Sequence, residues 1–258
     1  MERIREKKAS GISRNALRTW GMFFLTLGIV GRSILQNRLL GLHSITAQEL
    51  LDIMNGSETA MIYATLGLVM EAIETCALPI FAFLLTNGVQ HTANFWKYFG
   101  RVLGVAVLSE IPYNLAMSGK LFDFSSRNPV FGLVLVMIAL YSYGRYTDKS
   151  AKNTLIKGVV TLAACLWCSM LSVEYGACMV IVVAVLWAFR KKPMLRNIAG
   201  ATAAILCSLS SLFMMAAPMG ILAVHYYNGE KGEDNALVNY LAYPVILLVV
   251  ALVGLFFL

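Results

Sequence analysis

Four carboxylates lie within or beside apolar segments where hydrocarbon would not tolerate them alone: Glu71, Glu74, Glu110 and Glu174. A carboxylate at membrane depth is costly unless it faces other protein or a wet cavity. Glu110 follows Ser109 and precedes Pro112 by two residues. Proline frees the carbonyl four residues back, and Ser109 can bond freed backbone groups. Two readings follow. Either Ser109, Glu110 and Pro112 form a kink, with Glu110 protonated against a neighbouring helix. Or Glu110 faces a cavity as an acid, a base or an orienting group. Glu71 and Glu74, three apart, share one helix face. Such a pair can share a proton for acid–base work, or can be satisfied by Arg32 or Arg38 as a structural ion pair. His91 follows Asn87-Gly88 and is either a base at neutral pH or a ligand of the carbonyls at a helix end. His43 reads as solvated, and His225 beside Tyr226 and Tyr227 as part of an interfacial aromatic belt.

Two short turns carry further polar groups: Glu174-Tyr175-Gly176, where Glu174 reads as a helix cap, and Asn228-Gly229-Glu230-Lys231-Gly232. Cys165 and Cys168 have the spacing of a redox or metal pair. No second pair lies nearby, so they read as small packing residues and no metal is expected.

These groups must be held by helices. Apolar runs predict an all-α, polytopic bundle of eight spans at 17–36, 59–86, 99–117, 129–147, 154–172, 175–189, 197–225 and 236–258, preceded by a basic tail over 1–16. The second and seventh are long, and Pro79 and Pro218 are their expected break points. Thr46-Ala47-Gln48-Glu49 is a capping-box pattern that predicts a short amphipathic helix on the outer leaflet, ended by Asn55-Gly56-Ser57.

Of the residues, 59% are apolar and 14% charged, and the mean hydropathy is +0.70. A soluble domain carries charge nearer a quarter. This is a chain for a lipid bilayer, with one transmembrane domain over 17–258. The net charge of +7 does not point to nucleic acid, because the basic residues sit in short loops between spans. With the N-terminus inside, sixteen Lys and Arg fall on the inner side and five on the outer. That bias predicts both termini inside.

The run Pro79-Ile80-Phe81-Ala82-Phe83-Leu84-Leu85 with Gly88 and His91-Thr92 resembles the TraX family of bacterial membrane proteins. So do Lys97-Tyr98, Arg101, Ser109-Glu110-Ile111-Pro112-Tyr113, Asn128, Glu174-Tyr175-Gly176, Tyr227 to Gly232 and Tyr243-Pro244, in the same order along most of the chain. The resemblance implies a multi-pass protein of the bacterial cytoplasmic membrane and a link to N-terminal acetylation of F pilin. It also implies a likeness to multi-span acyltransferases that use acetyl-CoA as co-substrate.

Acetyl transfer to an amine needs a base for the ammonium proton and donors for the oxyanion. On that reading Glu110 and His91 handle protons, Arg101 and Lys97 flank an inner acyl-donor mouth, and Ser109, Asn128, Glu71, Glu74, Glu174 and Asn228 serve the substrates. The pattern also departs from the family. An Asp-His pair of the first helix is replaced by Gly28 and Ile29, a Gly-Arg pair by Glu74 and Thr75, and a His after Tyr243-Pro244 is absent from Val245-Ile246-Leu247. Retained scaffold motifs with lost ionisable residues also fit a non-catalytic membrane partner of surface-structure assembly or export. Broken helices fit a small-solute transporter as a third class, though no inverted repeat supports it.

Overall fold

A computed structural model describes residues 11–41, 48, 52, 56–148, 150–233 and 235–256. His43 and most of the expected 46–54 helix lie outside the described residues.

Ser13 caps the first helix, α1 (Arg14–Val30), through a bond from the Ala16 N–H. The helix then widens into a π-helix, Gly31–Leu39, rather than continuing with α geometry. The second expected span is two helices, α2 (Glu58–Glu74) and α3 (Ala77–His91). Their break lies at Thr75-Cys76, just before Pro79 rather than at it, because proline fits the first turn of a helix without disturbing a ladder bond. Then come α4 (Phe95–Ser118), α5 (Val130–Arg145), α6 (Ala151–Met170) and α7 (Gly176–Ala188). After α8 (Pro193–Leu206), short 3₁₀ turns at Cys207–Leu209 and Leu212–Ala216 lead to α9 (Pro218–His225) and α10 (Ala236–Phe256). Among the described residues there is helix and no named strand, and the fold is an all-α bundle.

Three helical segments, Glu58–His91, Ala151–Met170 and Leu237–Phe256, are long and apolar enough to cross a membrane by length and composition, and several shorter apolar helices accompany them. The outward face is apolar. Along α6, Leu155, Val159, Leu162, Leu166 and Met170 are all exposed, at helical spacing. Polar groups meanwhile gather inside. That inversion of a soluble protein is what lipid selects, and the chain is a membrane protein.

The seventh expected span, 197–225, does not cross. Helices α8 and α9 lie side by side as a re-entrant hairpin: Asn197 near the start of α8 has its Nδ2 3.3 Å from Nδ1 of His225 at the end of α9. The hairpin tip meets the α2–α3 break. Thr75 donates to the Phe213 carbonyl at 3.0 Å, and the Cys76 thiol to that of Ala216 at 3.3 Å. Side chains of the α2–α3 break thus satisfy carbonyls of the hairpin tip, as irregular backbone inside a bilayer requires.

This changes the side on which the chain ends. Ile12 pairs with the 226–228 backbone in both directions, and Arg14 and Asn15 donate to the carbonyls of Glu230 and Lys231. The Tyr226–Gly232 turn is therefore on the same end as the start of α1. From there α10 runs parallel to α4, so that Gly254 and Gly119 both lie against Arg38. The two ends of the described chain are on opposite faces, not the same one. Lys231 joins the basic end, which sharpens the Lys/Arg asymmetry. Single cysteines at Ser13 and Val253, in a background lacking the native five, should label with an impermeant maleimide from opposite sides of sealed vesicles. Labelling of both from one side would contradict the re-entrant hairpin.

Candidate functional site

A cavity of about 730 Å³ runs through the bundle between α3 and α4, walled also by α1, α5, α7 and α10. Its two ends differ in charge. At one end it is lined by Arg14, Arg18, His91, Lys97, Arg101 and Lys231; towards the other it meets Glu74, Thr75, Glu174, Tyr175 and Tyr243. Apolar side chains including Leu84, Leu85, Val102 and Leu133 line the middle.

The acidic end is built around one guanidinium. The π-helix sets Arg32 against α2, where its Nη2 donates to both Glu74 oxygens at 2.8 Å. Its Nη1 pairs with Glu174. Glu174 also accepts from the Tyr113 hydroxyl at 3.0 Å, and that hydroxyl bonds Ser126 at 3.1 Å. Glu71, one turn before Glu74, accepts from Gln36 at 3.4 Å and from the Tyr175 hydroxyl at 3.5 Å. Ser33 and Asn37, on another face of the π-helix, donate to the carbonyls of Ala116 and Met117 at 2.6 and 2.7 Å. They fix the π-helix to α4 and so fix Arg32.

Glu110 sits outside the cavity lining, with a partner of its own. Arg127 donates to it at 2.7 Å and Asn128 Nδ2 at 2.6 Å. Asn128, fully buried, also donates to the Ala106 carbonyl and accepts from the Val130 N–H. Glu110 thereby holds the returning 119–129 strap inside the bundle at the start of α5. The outer part of the strap is ordered by Asp123, which accepts from the Ser125 N–H at 2.9 Å. That bond holds the Asp123 carboxyl down to about 2. Ser109 is fully buried, yet its hydroxyl has no hydrogen-bond partner, so it does not bond the backbone that Pro112 frees.

The remaining expected residues scatter. His91 is exposed at the basic end, its Nδ1 2.8 Å from the carbonyl of Asn87, one turn back on its own helix. It and Glu110 are not brought together. Lys97 and Arg101 flank the basic mouth. Asn228 orders its own turn by accepting from the Glu230 N–H at 2.9 Å. Glu174 is an ion-pair partner rather than a helix cap, and Tyr175 occupies the N-cap position of α7.

Sequence reasoning named Arg32 only as one of two possible partners of the Glu71–Glu74 pair, not as the hub of a network, and gave the phenols of Tyr113, Tyr175 and Tyr243 no role of their own. Arg32 carries a signal, being an arginine in an apolar helix. The tyrosines carry none, since an interfacial belt accounts for such residues equally well.

The arrangement places four carboxylates (Glu71, Glu74, Glu110, Glu174) around two guanidinium groups (Arg32, Arg127). Carboxylates in excess of cations in a low-dielectric interior favour a cationic ligand. At the far end of the same cavity sits a cluster that favours phosphate or carboxylate.

A probable fimbrial assembly protein of Dichelobacter nodosus, FimC of serogroup H1, is 28% identical over 191 residues, covering 65% of this chain and 75% of that protein. No solved structure matches. The family described as TraX protein matches residues 50–254, which take in Glu74, Lys97, Arg101 and Glu174 of the cavity but not Arg14, Arg18 or Arg32, and the chain belongs to that family.

Proposed function

We propose that this chain is an acyltransferase of the bacterial cytoplasmic membrane that moves an acetyl group from acetyl-CoA to an amine. The carrying observation is the polarity of the cavity, basic at one end and acidic at the other. The phosphates of acetyl-CoA suit Arg14, Arg18, Lys97, Arg101 and Lys231. The pantetheine arm is long and thin enough to bring the thioester past the apolar middle towards Glu74 and Glu174. There the amine nitrogen attacks the carbonyl carbon, a C–N bond forms, and the C–S bond breaks to release CoA as thiolate. The surplus proton on nitrogen passes to a carboxylate of the Glu74–Arg32–Glu174 set. The proton-handling role thus moves from Glu110 and His91 to carboxylates that face the cavity.

Gly28 bears on the apparent loss of an acid from the first helix. A Cβ at Gly28 would fall on the side chain of Glu74. The acid of the α1–α2 contact stands on α2 here, opposite a glycine, so the site keeps a carboxylate at that place. The fimbrial-assembly name of the relative makes a pilin-like protein amine the favoured acceptor.

Acetyl-CoA should bind the purified protein in nanodiscs, by calorimetry, and Arg101→Ala should weaken it on the order of tenfold, the worth of one charge-assisted phosphate contact. Unchanged affinity removes Arg101 from the donor site. A wild-type protein that ignores millimolar acetyl-CoA favours the second reading, a non-catalytic partner in surface assembly, which the missing His near Val245–Leu247 and the Thr75 substitution support.

A further inference from the structure

We propose that Tyr175 is a catalytic residue whose phenol donates a hydrogen bond to the thioester carbonyl oxygen as negative charge builds there. The inference rests on the acyl-transfer reading above and names the oxyanion donor of that site. Tyr175 has φ 51° and ψ 14°, in the left-handed region. A bulky side chain rarely adopts that conformation and loses stability by doing so, whereas glycine or asparagine would sit there easily. Tyrosine at such a position calls for a reason in what its ring and hydroxyl do, and strained backbone of this kind gathers at functional sites.

The turn that imposes the conformation is held on several sides. Arg127 donates to the Ser172 carbonyl at 2.9 Å, Glu174 to that of Arg127 at 3.2 Å, and Val173 to that of Cys168 at 2.9 Å. The next residue, Gly176, has no room for a Cβ, which would lie 2.8 Å from that of Cys168. The chain therefore delivers the Tyr175 side chain to the cavity wall beside Glu74 and Glu174.

The hydroxyl is also loosely held. Its contact with Glu71 is 3.5 Å, at the outer limit of a hydrogen bond, so the O–H rotor is free to turn to a substrate oxygen. Tyr113 contrasts with it. That hydroxyl is engaged by both Glu174 and Ser126 and is absent from the cavity lining. In the transfer step Tyr175 forms and breaks no covalent bond. Its O–H strengthens its hold on the carbonyl oxygen as the tetrahedral intermediate forms, and releases it as CoA thiolate departs.

The test uses the full chain in nanodiscs, radiolabelled acetyl-CoA, glycinamide as acceptor, and parallel measurement of acetyl-CoA hydrolysis. Tyr175→Phe keeps the ring and removes the donor. It should keep the wild-type acetyl-CoA affinity and melting midpoint while kcat falls about 100-fold, the usual cost of losing one oxyanion donor. Tyr175→Asn should be at least as stable as wild type and equally slow. Turnover of Tyr175→Phe within threefold of wild type overturns the role and leaves the acyl-transfer reading standing. Wild-type protein that binds acetyl-CoA but neither transfers nor hydrolyses it also overturns the role. Wild-type protein that fails even to bind overturns the acyl-transfer reading itself, and this role with it.

Discussion

Arg32→Leu is expected to lower the stability of the fold by about 3–5 kcal/mol, the usual result of removing one partner of a buried ion pair. Arg32 is 14% exposed and bridges Glu74, at 4%, and Glu174, at 14%. Without it two carboxylates are left in the interior, and each must take up a proton or draw in water. The loss should therefore shrink at low pH, where protonation relieves the orphaned acids. Arg32→Leu combined with Glu74→Gln and Glu174→Gln should recover much of the difference, because the neutral amides carry no charge to strand. Thermal unfolding in nanodiscs, followed by near-ultraviolet circular dichroism, reads both effects. A single variant as stable as wild type would show that the carboxylates do not depend on Arg32. A triple variant no better than the single one would place the damage in packing rather than charge.

Gly28→Asp should be nearly as harmful. A Cβ at Gly28 would overlap the Cβ as well as the carboxylate of Glu74. Turning the carboxylate aside therefore does not clear the space, and Glu74 is already clamped by Arg32. Overpacking of a tight contact costs about 1–3 kcal/mol, and a second carboxylate competing for one guanidinium adds like-charge repulsion. Gly28→Asp with Glu74→Gly moves the acid across the contact and should restore both the yield of monodisperse protein and its melting midpoint. The decisive comparison is single against double. If both melt alike, α1 and α2 do not meet as the structure shows. An attempt to rebuild an Asp-His pair at Gly28 and Ile29 alone would fail for this reason before its activity was ever tested.

Much of this was legible in the residues. Apolar runs located the helical segments of the bundle, two of which proved to be broken pairs, because hydrocarbon requires each backbone group to be bonded within its own segment or against a protein neighbour. The four carboxylates stood out for a related reason: an acid is scarce in lipid-facing sequence. Arg32 and Arg38 were identifiable as candidate partners for Glu71 and Glu74, and the structure gives Arg32 to Glu74. The Lys/Arg asymmetry identified the basic end, where Lys97 and Arg101 line the mouth.

The misplacements have a common origin. Segment 197–225 has the length and hydropathy of a crossing, and a re-entrant hairpin of two short helices has the same composition. Contacts between residues distant in the chain distinguish them, Asn197 with His225 at the base of the hairpin and Thr75 with Phe213 at its tip. Glu110 was the most conspicuous acid in the sequence, but its neighbours Arg127 and Asn128 come from a strap that folds back 17 and 18 residues later and takes its charge away from the cavity.

What the sequence determined alone is the class of solvent, the helices that solvent demands, the sign of charge at each end, and the family. The first three depend on local composition and periodicity, and the family on the motifs that resemble it. Which carboxylates face a common cavity, which arginine they share, and on which face the chain ends were decided by the tertiary structure. Those are properties of pairs distant in sequence: Arg32 with Glu174, Gly28 with Glu74, and Ile12 with Tyr226. No local pattern encodes them, because an ion pair or a close backbone approach is fixed only when the packing of several helices brings its two halves together.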